Sequence, residues 1–174
     1  QLLNWDTTWQ YIPFAYTYHD AWRTFFSTGS FPLYDFSTYL GTDAIGSNSY
    51  YGLFDPFVVV MAFFPRAWIP QMMAILTAFK IMVAVLLTRC YLRYMGIKEW
   101  TARFAALCAG LSGYVSFFVG FPSFVSAVVY VPMILWGIEK VIKERKPGIL
   151  VWSLFLEGIT SFFLLVVLCI FGVL

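Results

Sequence analysis

The chain has 174 residues, of which 61% are hydrophobic, 21% aromatic and only 11% charged, with a mean hydropathy of +0.78. This is far more apolar than an ordinary soluble domain and predicts an all-α integral membrane protein. The formal net charge of +2, with basic residues gathered near the ends of apolar runs, gives no stripe for nucleic acid. Cys90, Cys108 and Cys169 are odd in number, lie in or beside apolar runs and lack metal-ligand spacing, so neither a disulfide nor a zinc site is expected. Gln1 is no initiator Met, no signal peptide follows it, and Leu174 falls inside an apolar run; a longer protein is expected on both sides.

The first informative stretch is Asn4-Trp5-Asp6-Thr7-Thr8-Trp9-Gln10-Tyr11, an acid among aromatics at the head of a polar segment. A carboxylate at a membrane surface can bind a divalent cation or take a proton from an attacking hydroxyl. Asp ahead of a helical pattern is also a favoured N-cap, and from the residues alone that is the ordinary role for Asp6. From Thr8 to Ser27, Gln10, Thr17, Asp20, Thr24 and Ser27 recur at helical spacing, with Trp9, Ile12, Tyr16, Trp22, Phe25 and Phe26 mostly opposite. The pattern predicts an amphipathic helix in the membrane interface, broken or kinked near Pro13; packing against a protein core is the alternative.

Residues Thr28 to Tyr51 are dense in Gly, Ser, Thr and Asp and read as an irregular loop, ordered by Phe31, Tyr34, Phe36, Tyr39, Tyr50 and Tyr51. Asp43, Asn48 and Asp55 offer oxygen ligands for a hard cation such as Mg²⁺ or Mn²⁺, although Asp55 ahead of Pro56 is better read as a helix cap. Leu53 to Phe64 is apolar but too short for a bilayer that needs about 20 residues, which predicts a re-entrant or interfacial helix.

Four candidate spans follow, at 67–88, 101–119, 123–142 and 148–172. Arg89, Arg93, Lys98 and Arg103 follow the first span and Lys140, Lys143, Arg145 and Lys146 follow the third, so both connections are expected on the cytoplasmic side. The region 1–66, with Asp6, Asp20, Asp35, Asp43 and Asp55 against Arg23 and Arg66, is then extracytoplasmic, and a transmembrane helix is expected before Gln1. Ala106-x-x-x-Gly110 and Ala109-x-x-x-Gly113 predict close helix packing. Lys80 and Glu157 sit within spans, each about 13 Å from the cytoplasmic end of its helix at 1.5 Å per residue. An ion pair between them is one reading; a charge kept for a substrate phosphate, with Lys80 as its carrier, is the other.

With these segments in place, the sequence resembles the bacterial YfhO-like membrane protein family, assigned to the GT-C class of lipid-dependent glycosyltransferases. The resemblance rests on Asp6 with Gln10-Tyr11-Ile12-Pro13-Phe14, on Phe31-Pro32-Leu33-Tyr34-Asp35, on Leu40-Gly41-Thr42 with Asn48 and Tyr51, and on Leu53-Phe54-Asp55-Pro56-Phe57. Leu111-Ser112-Gly113-Tyr114 and Phe121-Pro122-Ser123-Phe124 add to it. It implies a GT-C-like helix bundle under a large extracytoplasmic loop, with Asp6 as the catalytic residue. Gln10, Tyr11, Asn48 and Lys80 are then the substrate-binding candidates, and Asp6 and Asp43 the candidates for a metal. The implied donor is a polyprenyl-phosphate-linked sugar in the membrane lipid, and the implied acceptor a cell-envelope polymer such as teichoic acid. Independently of the resemblance, the chain has no glycine-rich phosphate loop for a nucleotide sugar, and a membrane-anchored donor removes the need for one. The competing reading is a non-catalytic transporter or flippase subunit, or a scaffold, with Lys80 and Glu157 on a polar path.

Overall fold

The computed structural model describes residues 6–36 and 40–173, with side chains to residue 170; Asn4, Trp5 and Tyr39 lie outside the described residues. Near the start of the described residues a π-helix, Thr7–Tyr11, runs directly into α1 (Ile12–Thr28). The break expected near Pro13 does not occur. Pro13 falls in the first turn of α1, where the Ile12 N–H bonds the Thr7 carbonyl five residues back, and this widened turn accommodates a residue without an N–H. The π turn also changes the phase of the helix. Trp9, Phe25 and Phe26, expected on the apolar side, are exposed, whereas Tyr11, Ala15, Tyr18 and His19 are buried. Ala15 joins Met61, Ile69, Met72 and Leu76 in a core cluster, so one face of this helix packs on protein.

α1 stops at Gly29, whose left-handed φ of 73° returns its N–H to the Phe25 carbonyl. The following loop is ordered. A two-residue antiparallel pair, β1 (Tyr34–Asp35) with β2 (Thr42–Asp43), leads into α2 (Ala44–Asn48) and a 3₁₀ turn, Ser49–Tyr51. Trp22 pins the loop to α1: its ring packs edge-on against Phe31 and Phe54, and its Nε1 donates to the Leu53 carbonyl at 2.7 Å. α3 (Pro56–Met61) is the short helix expected within residues 53–64.

The bundle comprises α4 (Ile69–Tyr94), α5 (Glu99–Gly110), α6 (Gly113–Phe118), α7 (Pro122–Glu144), α8 (Gly148–Thr160) and α9 (Phe162–Val173). Two helical stretches, Arg66–Tyr94 and Pro122–Glu144, are long and apolar enough to cross a membrane. The stretches 101–119 and 148–172, expected as single helices, are each divided. In the first, weak helix formers bracket the break: Gly110 and Gly113 flank Ser112, whose backbone is extended (ψ 161°). In the second, Ser161 is extended (φ −157°, ψ 99°) after Thr160, and hydroxyl side chains compete with helical backbone bonding. Thr160 and Ser161 are both buried, which is where interrupted backbone at membrane depth is tolerated.

α4 packs between α5 and α7, and α7 lies against α8. Ala102, Ala106 and Gly110 form the buried seam of α5, and a Cβ on Gly110 would strike the Val85 side chain. The second small-residue pair does not pack: Ala109 is exposed and Gly113 faces open space, because α5 ends between them. A closer approach is at Gly137, where a Cβ would lie 2.6 Å from the Leu150 backbone. The outer surface is apolar. On α4, Ile75, Phe79, Met82 and Leu86 form an exposed stripe at helical spacing, while Lys80, Ser126, Ser153 and Glu157 are buried. Apolar side chains outside and polar ones within suit a lipid solvent. At the α4–α5 connection, Arg89, Arg93 and Arg103 converge on Glu99, and the Arg89 hydrogen bond is the first cause of a carboxyl pKa held below its ordinary range.

Candidate functional site

The site begins with Asp55. Its backbone is extended and its Oδ1 accepts from the Phe57 N–H at 2.9 Å, so it caps α3, with Pro56 supplying a first residue that needs no partner. The other oxygen reaches into the bundle. Lys80 Nζ lies 2.6 Å from Asp55 Oδ2, 2.8 Å from Ser126 Oγ and 3.1 Å from the Pro122 carbonyl, and Ser126 Oγ donates in turn to Asp55 Oδ2 at 2.8 Å. The three ammonium donors thus meet three acceptors, which offsets the cost of burying the charge. Since Lys80 lies about 16 Å along α4 from Ile69 at 1.5 Å per residue, the turn that carries Asp55 dips deep between the helices.

The Lys80–Glu157 pair is therefore corrected: the partner of Lys80 is Asp55. Both carboxyl oxygens of fully buried Glu157 lack a hydrogen-bond partner among the described residues. Nearby, Thr160 Oγ1 donates to the Tyr130 hydroxyl at 3.4 Å. Ser126 carries no sequence signal beyond its place four residues after Pro122, and sequence reasoning missed it. Buried His19 was missed too; its ring nitrogens lie 2.9 Å from Asp20 Oδ1 and 3.0 Å from the Phe64 carbonyl.

Above Lys80, a small cavity of about 30 Å³ lies between α1 and α4, walled by Tyr11, Phe14, Tyr18, Tyr51 and Phe57 with Lys80 at its polar end. Tyr11, Phe14, Ala15 and Tyr18 face it because they recur at helical spacing on α1 and the turn ahead of it. Tyr11 OH lies 3.3 Å from Ser123 Oγ, and Thr7 Oγ1 donates to the Gly120 carbonyl at 2.6 Å, so the head of the helical run is fastened to the α6–α7 turn. Burial raises the pKa of the Tyr11 and Tyr18 phenols above their ordinary value, which keeps both as hydrogen-bonding hydroxyls.

Asp6 directly precedes the π-helix, close enough for its charge to act on Tyr11. It is exposed, its backbone is already helical (φ −67°, ψ −37°), and its side chain makes no capping bond. The N-cap reading of Asp6 is overturned, since a cap needs the extended backbone that Asp43 and Asp55 have. Gln10 is half-buried in the same π-helix. Asn48 does not line the cavity: its side-chain Nδ2 donates to the Ala44 carbonyl at 2.8 Å, and its backbone carbonyl accepts from Tyr18 OH at 3.2 Å. Asp43 caps α2 through Oδ1, 3.0 Å from the Ile45 N–H. The structure thus brings Tyr11 and Lys80 to one cavity, with Asp6 and Gln10 on the helical run that carries Tyr11, and leaves Asn48 and Asp43 on the loop. Among the described residues no three His, Cys, Asp or Glu side chains gather as a metal set.

An apolar outer surface around a buried charge network, in a chain that is nearly all helix, defines an all-α membrane protein. The sequence profile described as bacterial membrane protein YfhO matches residues 1–174, and the chain belongs to that family. No curated protein and no solved structure matches it significantly.

Proposed function

We propose that this chain acts in a GT-C glycosyltransferase that moves a sugar from a polyprenyl phosphate to a cell-envelope acceptor outside the cytoplasmic membrane. The observation that carries the reading is the position of Asp6: an exposed carboxylate, without a capping bond, directly before the π-helix whose Tyr11 lines the cavity above Lys80. In this reading Asp6 takes the proton of the acceptor hydroxyl as that oxygen attacks the anomeric carbon. The bond from that carbon to the phosphate oxygen breaks, and the lipid phosphate leaves with the electron pair. Tyr11 lines the cavity, and Gln10 precedes it in the π-helix. Lys80 is a positioning residue, because its three donors are committed to holding the Asp55 turn beneath Tyr11.

The orphaned Glu157 and the helix break beside it favour a second reading, a transporter or flippase subunit with a polar path. One experiment separates the two. Purified full-length protein in lipid bilayers, given radiolabelled polyprenyl-phosphate sugars and cell-envelope polymer, forms labelled polymer under the first reading; under the second, the label stays on the lipid and only changes leaflet.

A further inference from the structure

α4 and α5 run antiparallel from their connection: Glu99 at the start of α5 meets Arg89 and Arg93, and a Cβ on Gly110 at its end would strike Val85. Along this seam lies a groove of about 390 Å³, lined by Val85, Leu86 and Arg89 from α4 and by Arg103, Ala106 and Leu107 from α5. On each helix these positions are three and four residues apart, so they share one face. The groove changes character along its length. At Arg89 and Arg103 its walls are cationic, and about 6 Å further along α4 toward Lys80, at 1.5 Å per residue, they are wholly apolar.

The cationic half is not balanced within the protein. Arg89, Arg93 and Arg103 share one carboxylate, Glu99, while the other acids at this end, Glu139 and Glu144, pair with Lys143 and Lys146. A guanidinium carries five N–H donors. Arg89 spends only its Nε and Nη2 on Glu99 and Arg103 only its Nε, and both terminal nitrogens of Arg103 have no acceptor among the described residues. Such planar forks suit the oxygens of a phosphate. In the apolar half Leu86 and Leu107 are about half exposed and continue the apolar outer surface, so a hydrocarbon chain can enter sideways from the bilayer. Trp100, 79% exposed in the first turn of α5, is of the type enriched at headgroup depth, which sets the guanidiniums near the level of lipid phosphates. A free phosphate would use only the cationic half; the two halves together call for a lipid.

We propose that the α4–α5 groove binds one anionic phospholipid of the surrounding bilayer, its phosphate held by Arg89 and Arg103 and one acyl chain laid along Val85, Leu86, Ala106 and Leu107. The site lies about 13 Å along α4 from Lys80, at 1.5 Å per residue, and stands whether or not the chain transfers a sugar. Full-length protein in detergent is given equimolar dioleoyl phosphatidylglycerol and dioleoyl phosphatidylcholine, and the retained lipid is counted by native mass spectrometry. One phosphatidylglycerol is retained per chain, at least fivefold in excess over phosphatidylcholine, and glycerol 3-phosphate, which has the charge without the chains, does not displace it. Arg103→Gln and Leu107→Gln, both at exposed positions, each weaken retention fivefold or more. Arg145→Asn removes an exposed charge elsewhere at the same end of the bundle, in a residue type that tolerates its left-handed backbone (φ 56°), and changes retention less than twofold. Equal retention of the two lipids, displacement by glycerol 3-phosphate, or indifference to Leu107→Gln overturns the proposal. Equal losses in Arg103→Gln and Arg145→Asn overturn it as well, since they would leave only the diffuse attraction of a basic protein end for an anionic membrane.

Discussion

Lys80 Nζ lies 2.6 Å from Asp55 Oδ2, with the two side chains 2% and 1% exposed, so an ammonium inside the helix bundle is neutralised by a carboxylate from the loop before it. Removing one partner strands the other. Lys80→Met is expected to cost about 3–5 kcal/mol, read as thermal unfolding of the purified full-length protein. Adding Asp55→Asn, which keeps the cap on α3, should recover most of that loss. Transfer should return with stability in the double variant if Lys80 only holds the turn. Stability restored without transfer would make Lys80 a ligand of the donor phosphate.

Glu157 is expected to behave in the opposite way. Its buried oxygens have no partner among the described residues, and replacing an unpaired buried carboxyl relieves a desolvation cost. Glu157→Gln should leave the unfolding temperature unchanged or raise it, and should not rescue Lys80→Met. A loss as large as that of Lys80→Met would restore the Lys80–Glu157 pair.

The sequence disclosed that both charges were buried within helices, and depth along the helices made Glu157 a reasonable partner for Lys80. It could not disclose the pairing, because Asp55 reaches Lys80 through a turn whose depth no periodicity records. Its two roles also hid each other: the cap was legible from Asp55-Pro56, and one oxygen sufficed for it. The helix at Pro122–Glu144 was legible as a continuous apolar run, whereas the breaks at Ser112 and Ser161 depend on what covers the backbone there. For Asp6 the residue type alone favours a cap beside the catalytic reading, and the quantity that decides capping is backbone conformation, which the sequence does not record. The π turn that rotates the head of α1 has no sequence signature beyond Pro13 itself.

Close packing of α7 on α8 depends on Gly137. Gly137→Ala places a methyl against Leu150 backbone, which cannot rotate aside, and should destabilise by about 1–3 kcal/mol. Gly113→Ala, with open space around it, should cost nothing measurable. Equal unfolding temperatures for the two variants would contradict this seam.

Topology is tested at Ser47 and Lys143, both exposed. In a background without the native cysteines, a cysteine at Ser47 is expected to react with an impermeant thiol reagent in intact cells, and one at Lys143 only after lysis. The reverse pattern would place the loop in the cytoplasm and remove the argument for a lipid-linked donor.

The role of Asp6 is tested most directly by transfer from a labelled polyprenyl-phosphate sugar in the full-length Asp6→Asn protein. Asparagine keeps the shape and hydrogen-bonding capacity of aspartate but cannot take the acceptor proton, so turnover should fall by a factor of roughly 10² or more at unchanged unfolding temperature. Asp6→Glu should recover little, since an added methylene displaces the carboxylate from a geometry that tolerates small errors poorly. Wild-type turnover in Asp6→Asn would contradict the account.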